Sequence, residues 1–95
     1  MASVGVITLE LRMDEAHSLK DKRHYVQGLK DRLRSKFNVA VAEIGYQESW
    51  QQGLVAAVTV SSDQKYAEQL LQLVEKEAAS VLGGVLVDAT VEWLS

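Results

Sequence analysis

Residues 38–61, NVAVAEIGYQESWQQGLVAAVTVS, hold two apolar runs separated by a polar stretch. The first run, Asn38 to Tyr46, carries Val39, Val41 and Ile44. The second, Leu54 to Ser61, alternates Leu54, Ala56, Val58 and Val60 with its other residues. Both runs read as strands, and the second keeps the two-residue period of a strand, whose side chains point to opposite faces in turn. Gln47 to Gly53 between them is polar, and two strands joined this way predict an antiparallel hairpin. In the first run Val39 and Val41 fall on the opposite side to Ala42 and Ile44, so the pattern leaves its inward face open.

Each side of this hairpin carries a helical pattern and then a strand. Toward the N-terminus, Leu19, Val26, Leu29, Leu33 and Phe37 share one stripe at helical spacing, predicting a helix from Leu19 to about Lys36. Ser18 fits its N-cap, with a hydroxyl able to accept from a free backbone N–H of the first turn. Met13 to His17 connects it to a first strand, Val4 to Arg12, where Ile7, Leu9 and Leu11 alternate with Thr8, Glu10 and Arg12. Toward the C-terminus, Ser61 and Gln64 fit a capping box for a second helix. That helix turns Ala67, Leu70, Leu71, Val74, Ala78 and Val81 inward. Gly83-Gly84 can end it, because glycine takes the left-handed backbone found past helix ends. The last strand, Val85 to Leu94, places Val85, Val87, Ala89, Val91 and Trp93 on one face and Leu86, Asp88, Thr90, Glu92 and Leu94 on the other.

The order is β-α-β-β-α-β. Right-handed crossovers put both helices on one face of a four-stranded antiparallel sheet, an α+β ferredoxin-like sandwich. Residues 1–95 make one domain of this kind. The expected register leaves Thr8, Glu10, Arg12, Thr59, Ser61, Asp88 and Glu92 on the uncovered face, which is then polar, partly acidic and without an aromatic platform.

Cysteine is absent, so disulfides, thiolate nucleophiles and cysteine-based zinc sites are excluded. Proline is absent too. No basic stretch leads into an apolar one at the N-terminus, and no apolar run reaches membrane-spanning length. A cytoplasmic protein with no membrane partner is expected. The net charge of −3 conceals a split: residues 1–36 carry +3 and residues 37–95 carry −6. Such a split can give a molecule one basic face.

The base is concentrated in the first helix. At 100° per residue, Lys20, Arg23, Lys30 and Arg34 cluster on one flank of the apolar stripe, with Arg32 and Lys36 on the other. Lys22 points close to the stripe itself, where its stem can pack while the ammonium reaches solvent. Lys20, Lys22, Arg23, Lys30 and Arg34 are the candidate nucleic-acid contacts, because lysine and arginine neutralise phosphates and release counterions. The competing reading is a solvated helix face, with basic residues near the C-terminus favoured by the helix dipole. Trp50, in the polar connection, either folds back on the sheet edge or stands out as a contact anchor.

His17 and His24 lack converging ligands for a metal, and no metal or cofactor is expected. Glu10, Glu43, Asp88 and Glu92 can approach one another across strands. No nucleophile accompanies them, and no catalytic residue is assigned.

Ser18-Leu19-Lys20-Asp21-Lys22-Arg23, then Phe37-Asn38-Val39 with Val41-Ala42-Glu43, then Trp50-Gln51, resemble the YlxP-like proteins of bacteria, a family of unknown function. The blocks extend from the first strand to the last helix at matching spacing. Glu48-Ser49 departs from the Asp-Leu-type pair more often found before the Trp. The resemblance implies a bacterial cytoplasmic protein with the fold argued above. It also implies, through gene neighbourhood with translation initiation and ribosome-maturation factors, a role near RNA or ribosomes. The expectation is therefore a non-enzymatic accessory protein that contacts RNA or ribosomal particles through its basic helix. The alternative is a homo-oligomeric interaction module, such as a dimer, that uses the uncovered sheet face, the edge strands or a tryptophan.

Overall fold

In a computed structural model describing residues 1–95, the chain runs β1 (Ser3–Arg12), α1 (Leu19–Lys36), β2 (Ala40–Gly45), β3 (Gln52–Ser61), α2 (Gln64–Leu82), a 3-10 turn (Gly83–Val85) and β4 (Leu86–Trp93). The four strands form one antiparallel sheet in the order β2-β3-β1-β4. Both crossovers carry a helix, and the core lies between helices and sheet. Ile7, Leu9 and Leu11 of β1 and Val55 and Ala57 of β3 meet Val26, Leu29 and Leu33 of α1 and Leu71, Val74 and Ala78 of α2. No helix is long and apolar enough to cross a membrane.

Local sequence explains the helix ends. Ser18 is extended and its hydroxyl accepts from Asp21 N at 3.1 Å, while Asp21 accepts from His17 N at 2.9 Å. Two free N–H groups at the start of α1 are thereby satisfied. The second cap differs from the expected Ser61–Gln64 box. Asp63 is the N-cap of α2, accepting from Lys65 N at 2.9 Å and Tyr66 N at 3.4 Å, and Ser61 instead accepts from Asp63 N. A carboxylate beside the helix N-terminus gains from the dipole as well as from the bonds. Gly83, at φ 56°, ends α2 as expected.

The register of β3 is opposite to the expected one. Leu9 pairs with Val55, Ile7 with Ala57 and Gly5 with Thr59, so Val55, Ala57 and Thr59 face the helices. Leu54, Ala56, Val58 and Val60 face away from them. The run is apolar on both faces, so its own alternation does not choose a side; pairing with the strongly one-sided β1 does. Thr59 is buried, and its hydroxyl donates to Asn38 O at 3.1 Å. In β2, Val41 faces inward and Ile44 is an inserted residue where the register shifts. A second shift between Glu10 and Leu11 breaks the expected alternation of β4: Leu86 pairs with Leu11, Asp88 with Glu10, and Val87 is left exposed. On α2, Leu82 rather than Val81 completes the buried stripe.

Candidate nucleic-acid interface

The basic helix has two flanks with different surroundings. One faces α2. There Glu77 receives Arg32 Nε at 2.9 Å and Lys36 Nζ at 3.0 Å. The Lys36 hydrogen bond, with the positive charges of Lys36 and Arg32, holds the Glu77 carboxyl below its usual range despite opposing desolvation. These two bases are occupied within the fold.

The other flank lies at the β2 edge of the sheet, as the bond from Arg34 Nη2 to Val41 O at 2.8 Å shows. Along it stand Lys20, Arg23, Lys30 and Arg34, with Gln27 between. Each is three or four residues from the next, so they form one row on the helix surface. The row is about 21 Å long at 1.5 Å per residue. Lys20, Arg23 and Lys30 make no ion pair. Lys20, Arg23 and Arg34 are exposed and Lys30 is half-buried. Arg34 spends one N–H on Val41, which fixes its stem, while its other donors remain to be used.

Lys22 does not belong to this row. Its side chain is 2% exposed. The ammonium reaches inward, 2.8 Å from Glu43 Oε2, and donates a hydrogen bond to the Tyr46 carbonyl. The sequence pattern had the ammonium emerging into solvent. It turns in because Glu43 lies on the helix-facing side of β2, opposite Val55, and supplies a counter-charge at the rim of the core. Glu43 Oε2 has no directed hydrogen bond, so charge attraction is its compensation. Lys22 is therefore unavailable to a phosphate, and its work is to fasten the β2–β3 connection to the start of α1.

That connection presents Trp50. Tyr46 turns the chain with φ 59°, and Ser49 Oγ accepts from Gln51 N at 3.3 Å and Gln52 N at 3.1 Å. Gln51 Nε2 donates to Asp14 O at 3.2 Å, and Met13 N donates to Gln51 O at 2.8 Å. The loop is thus tied at several points, yet Trp50 stays 53% exposed instead of folding onto the sheet edge. It stands at the end of the molecule where the basic row begins.

Of the candidate acids, only Glu10 and Asp88 come directly opposite each other across strands. Glu10 pairs with Asp88 on the uncovered face, Glu92 lies opposite Val6, and Glu43 is on the other face with Lys22. His17 and His24 are exposed, and no three metal-ligating side chains converge. The inward role of Glu43 was missed by sequence reading. Its signal was the two-residue spacing from Val41, which places both on one face of β2.

A family model described as "Protein of unknown function (DUF503)" matches residues 4–91. The uncharacterized protein YlxP of Bacillus subtilis is 38% identical over 71 residues, covering 75% of this chain and 77% of the relative. Among solved structures, the de novo designed protein Foldit4 superimposes with a TM-score of 0.61 at 11% identity, covering 100% of this chain and 98% of its own. A designed protein with ferredoxin fold, LFR1 1, gives 0.51 at 15% identity, covering 98% of this chain and 83% of its own. A dinuclear metal-binding peptidase of the M20 family from Bacillus subtilis gives 0.61 at 12% identity, but the match spans only 26% of that chain. At these identities the structural likenesses concern the fold alone.

Proposed function

Because the chain belongs to the DUF503 family, described as of unknown function, we propose its role from its own surface: a non-enzymatic cytoplasmic accessory protein that contacts RNA or ribosomal particles through Lys20, Arg23, Lys30 and Arg34. The observation that carries this reading is the unpaired row. Three cations with no ion-pair partner, and a fourth with free donors, line one flank of one helix in a chain of net charge −3. Phosphates of a nucleic-acid backbone match such a row, and counterion release supplies the free energy. Trp50 adds an exposed ring on the β2–β3 connection, which Lys22 ties to the start of α1 through the Tyr46 carbonyl, and the ring is suited to stacking on an unpaired base.

The test is binding of the full chain to total bacterial RNA and to ribosomal subunits at two salt concentrations. Three or four phosphate contacts to a single strand predict roughly a 20- to 50-fold loss of affinity between about 50 and 200 mM salt. The double variant R23E/K30E is expected to abolish binding while unfolding like the parent. Binding that survives the double change removes the helix assignment.

A further inference from the structure

The sheet face without helices is apolar at its centre. Along the paired strands β1 and β3, Val4 stands opposite Val60 and Val6 opposite Val58, followed by Ala56 and Leu54. Ala40 and Ala42 carry the surface onto β2, opposite Val58 and Ala56. Val60 is 58% exposed. The acids Asp88 and Glu92 stand on β4 at one side, and Glu10 lies toward the Arg12 end, outside the valine–alanine centre.

We propose that a second copy of the chain covers this face, sheet on sheet, about a two-fold axis running along the strands. β3 of each copy then lies over β1 of the other. Three features favour this occupant. The first is area. Four strands about 4.8 Å apart, the two central ones ten residues long, give a face of roughly 600 Å². Two copies together bury about 1,200 Å², the lower end of the range for specific interfaces. The second is shape. Alanine, valine and threonine make a low, even surface, which suits another sheet stacked about 10 Å away.

The third is charge. An axis along the strands brings β4 of one copy over β2 of the other, and at matching height along the strands Glu92 lies over Ala40, Thr90 over Ala42 and Asp88 over Gly45. An axis across the strands would stack β4 on β4 and oppose acid to acid. The dimer does not depend on what the basic row binds.

Sedimentation equilibrium of the full chain tests it. At tens of micromolar the expected mass is twice the 10.5 kDa of one chain. Val58→Lys places an unpaired ammonium at the centre of the face and is expected to raise the dimer dissociation constant at least about 100-fold. Val60→Lys changes a side chain the fold leaves exposed, so it weakens the dimer without threatening the monomer. Leu73→Lys, on an exposed position of α2, leaves the dimer intact. A parent chain that is monomeric at millimolar concentration overturns the proposal. So does a dimer that both valine variants leave unchanged.

Discussion

The chain contains two strand–helix–strand halves, and their helices differ chiefly where packing imposes nothing. In the first half α1 buries Val26, Leu29 and Leu33; in the second α2 buries Ala67, Leu71, Val74 and Ala78. Both stripes answer the same need, an apolar cover for one sheet face. The outer flanks then diverge. α1 presents Lys20, Arg23 and Lys30 at the β2 edge. α2 presents Glu68, Gln72 and Glu75 at the β4 edge, above a cleft of about 380 Å³ floored by Leu71, Val91 and Trp93. The opposite charge of residues 1–36 and 37–95 thus becomes opposite charge at the two edges of one sheet. A flank that packing does not constrain is free to be set by a partner, and for that reason the basic one carries the functional reading.

The sharpest break in the comparison is Lys22, the one base of α1 that belongs to the core. Lys22→Met leaves Glu43 without its counter-charge and is expected to cost about 3 kcal/mol in urea unfolding, whereas Lys20→Met, two residues away, changes stability by less than about 0.5 kcal/mol. Equal effects at the two positions would contradict the division between an inward and an outward lysine.

Where the halves meet, the tight point is Gly5 of β1, packed against α2 and β4 of the second half. A Cβ there would meet Leu71 Cδ1 and Trp93 Cζ3, both at 2.8 Å. Gly5→Ala is therefore expected to cost about 1–2 kcal/mol through overpacking, seen as a lowered urea midpoint. The RNA binding proposed for α1 is expected to be unaffected, since the strain falls where β1 meets α2 and β4.

The smallest effect joins the halves. Glu77 holds Arg32 and Lys36 with a carboxyl pKa lowered from 4.5 in the folded state. At mildly acidic pH the unfolded chain binds the extra proton more readily. The contribution of Glu77 is thus fully present above about pH 4.5 and is lost as pH falls through the lowered folded value. Glu77→Gln is expected to lessen the acid-side loss of stability in that window and leave the pH dependence above 6 unchanged. An unaltered acid limb would show that the helix–helix ion pairs contribute nothing measurable.

The hairpin at residues 38–61 and its flanking periodicities were sufficient to read the element order, because β1 and α1 are one-sided enough to leave no choice. The facing of β3 was not legible. Leu54 to Val60 is apolar on both sides, and its orientation depends on Ile7, Leu9 and Leu11 across the sheet. The uncovered face was consequently read as polar, when its β3 half is Leu54, Ala56, Val58 and Val60. The basic row was legible as a helical spacing. The withdrawal of Lys22 from it was not, since it depends on Glu43, twenty-one residues away in sequence and brought alongside only by the β2–β3 pairing. Nor could spacing tell that Trp50 would stay exposed, because bonds with Asp14, Met13 and Lys22 fix that loop from outside it.

The most direct test of the central claim is an NMR titration of the isotope-labelled chain with a short single-stranded RNA, following backbone amides and the tryptophan indoles. The largest shifts are expected on Lys20, Arg23, Lys30, Arg34 and the Trp50 indole, shrinking together as salt is raised. Shifts confined to the α2 flank or the uncovered sheet face, or none at low salt, would contradict it.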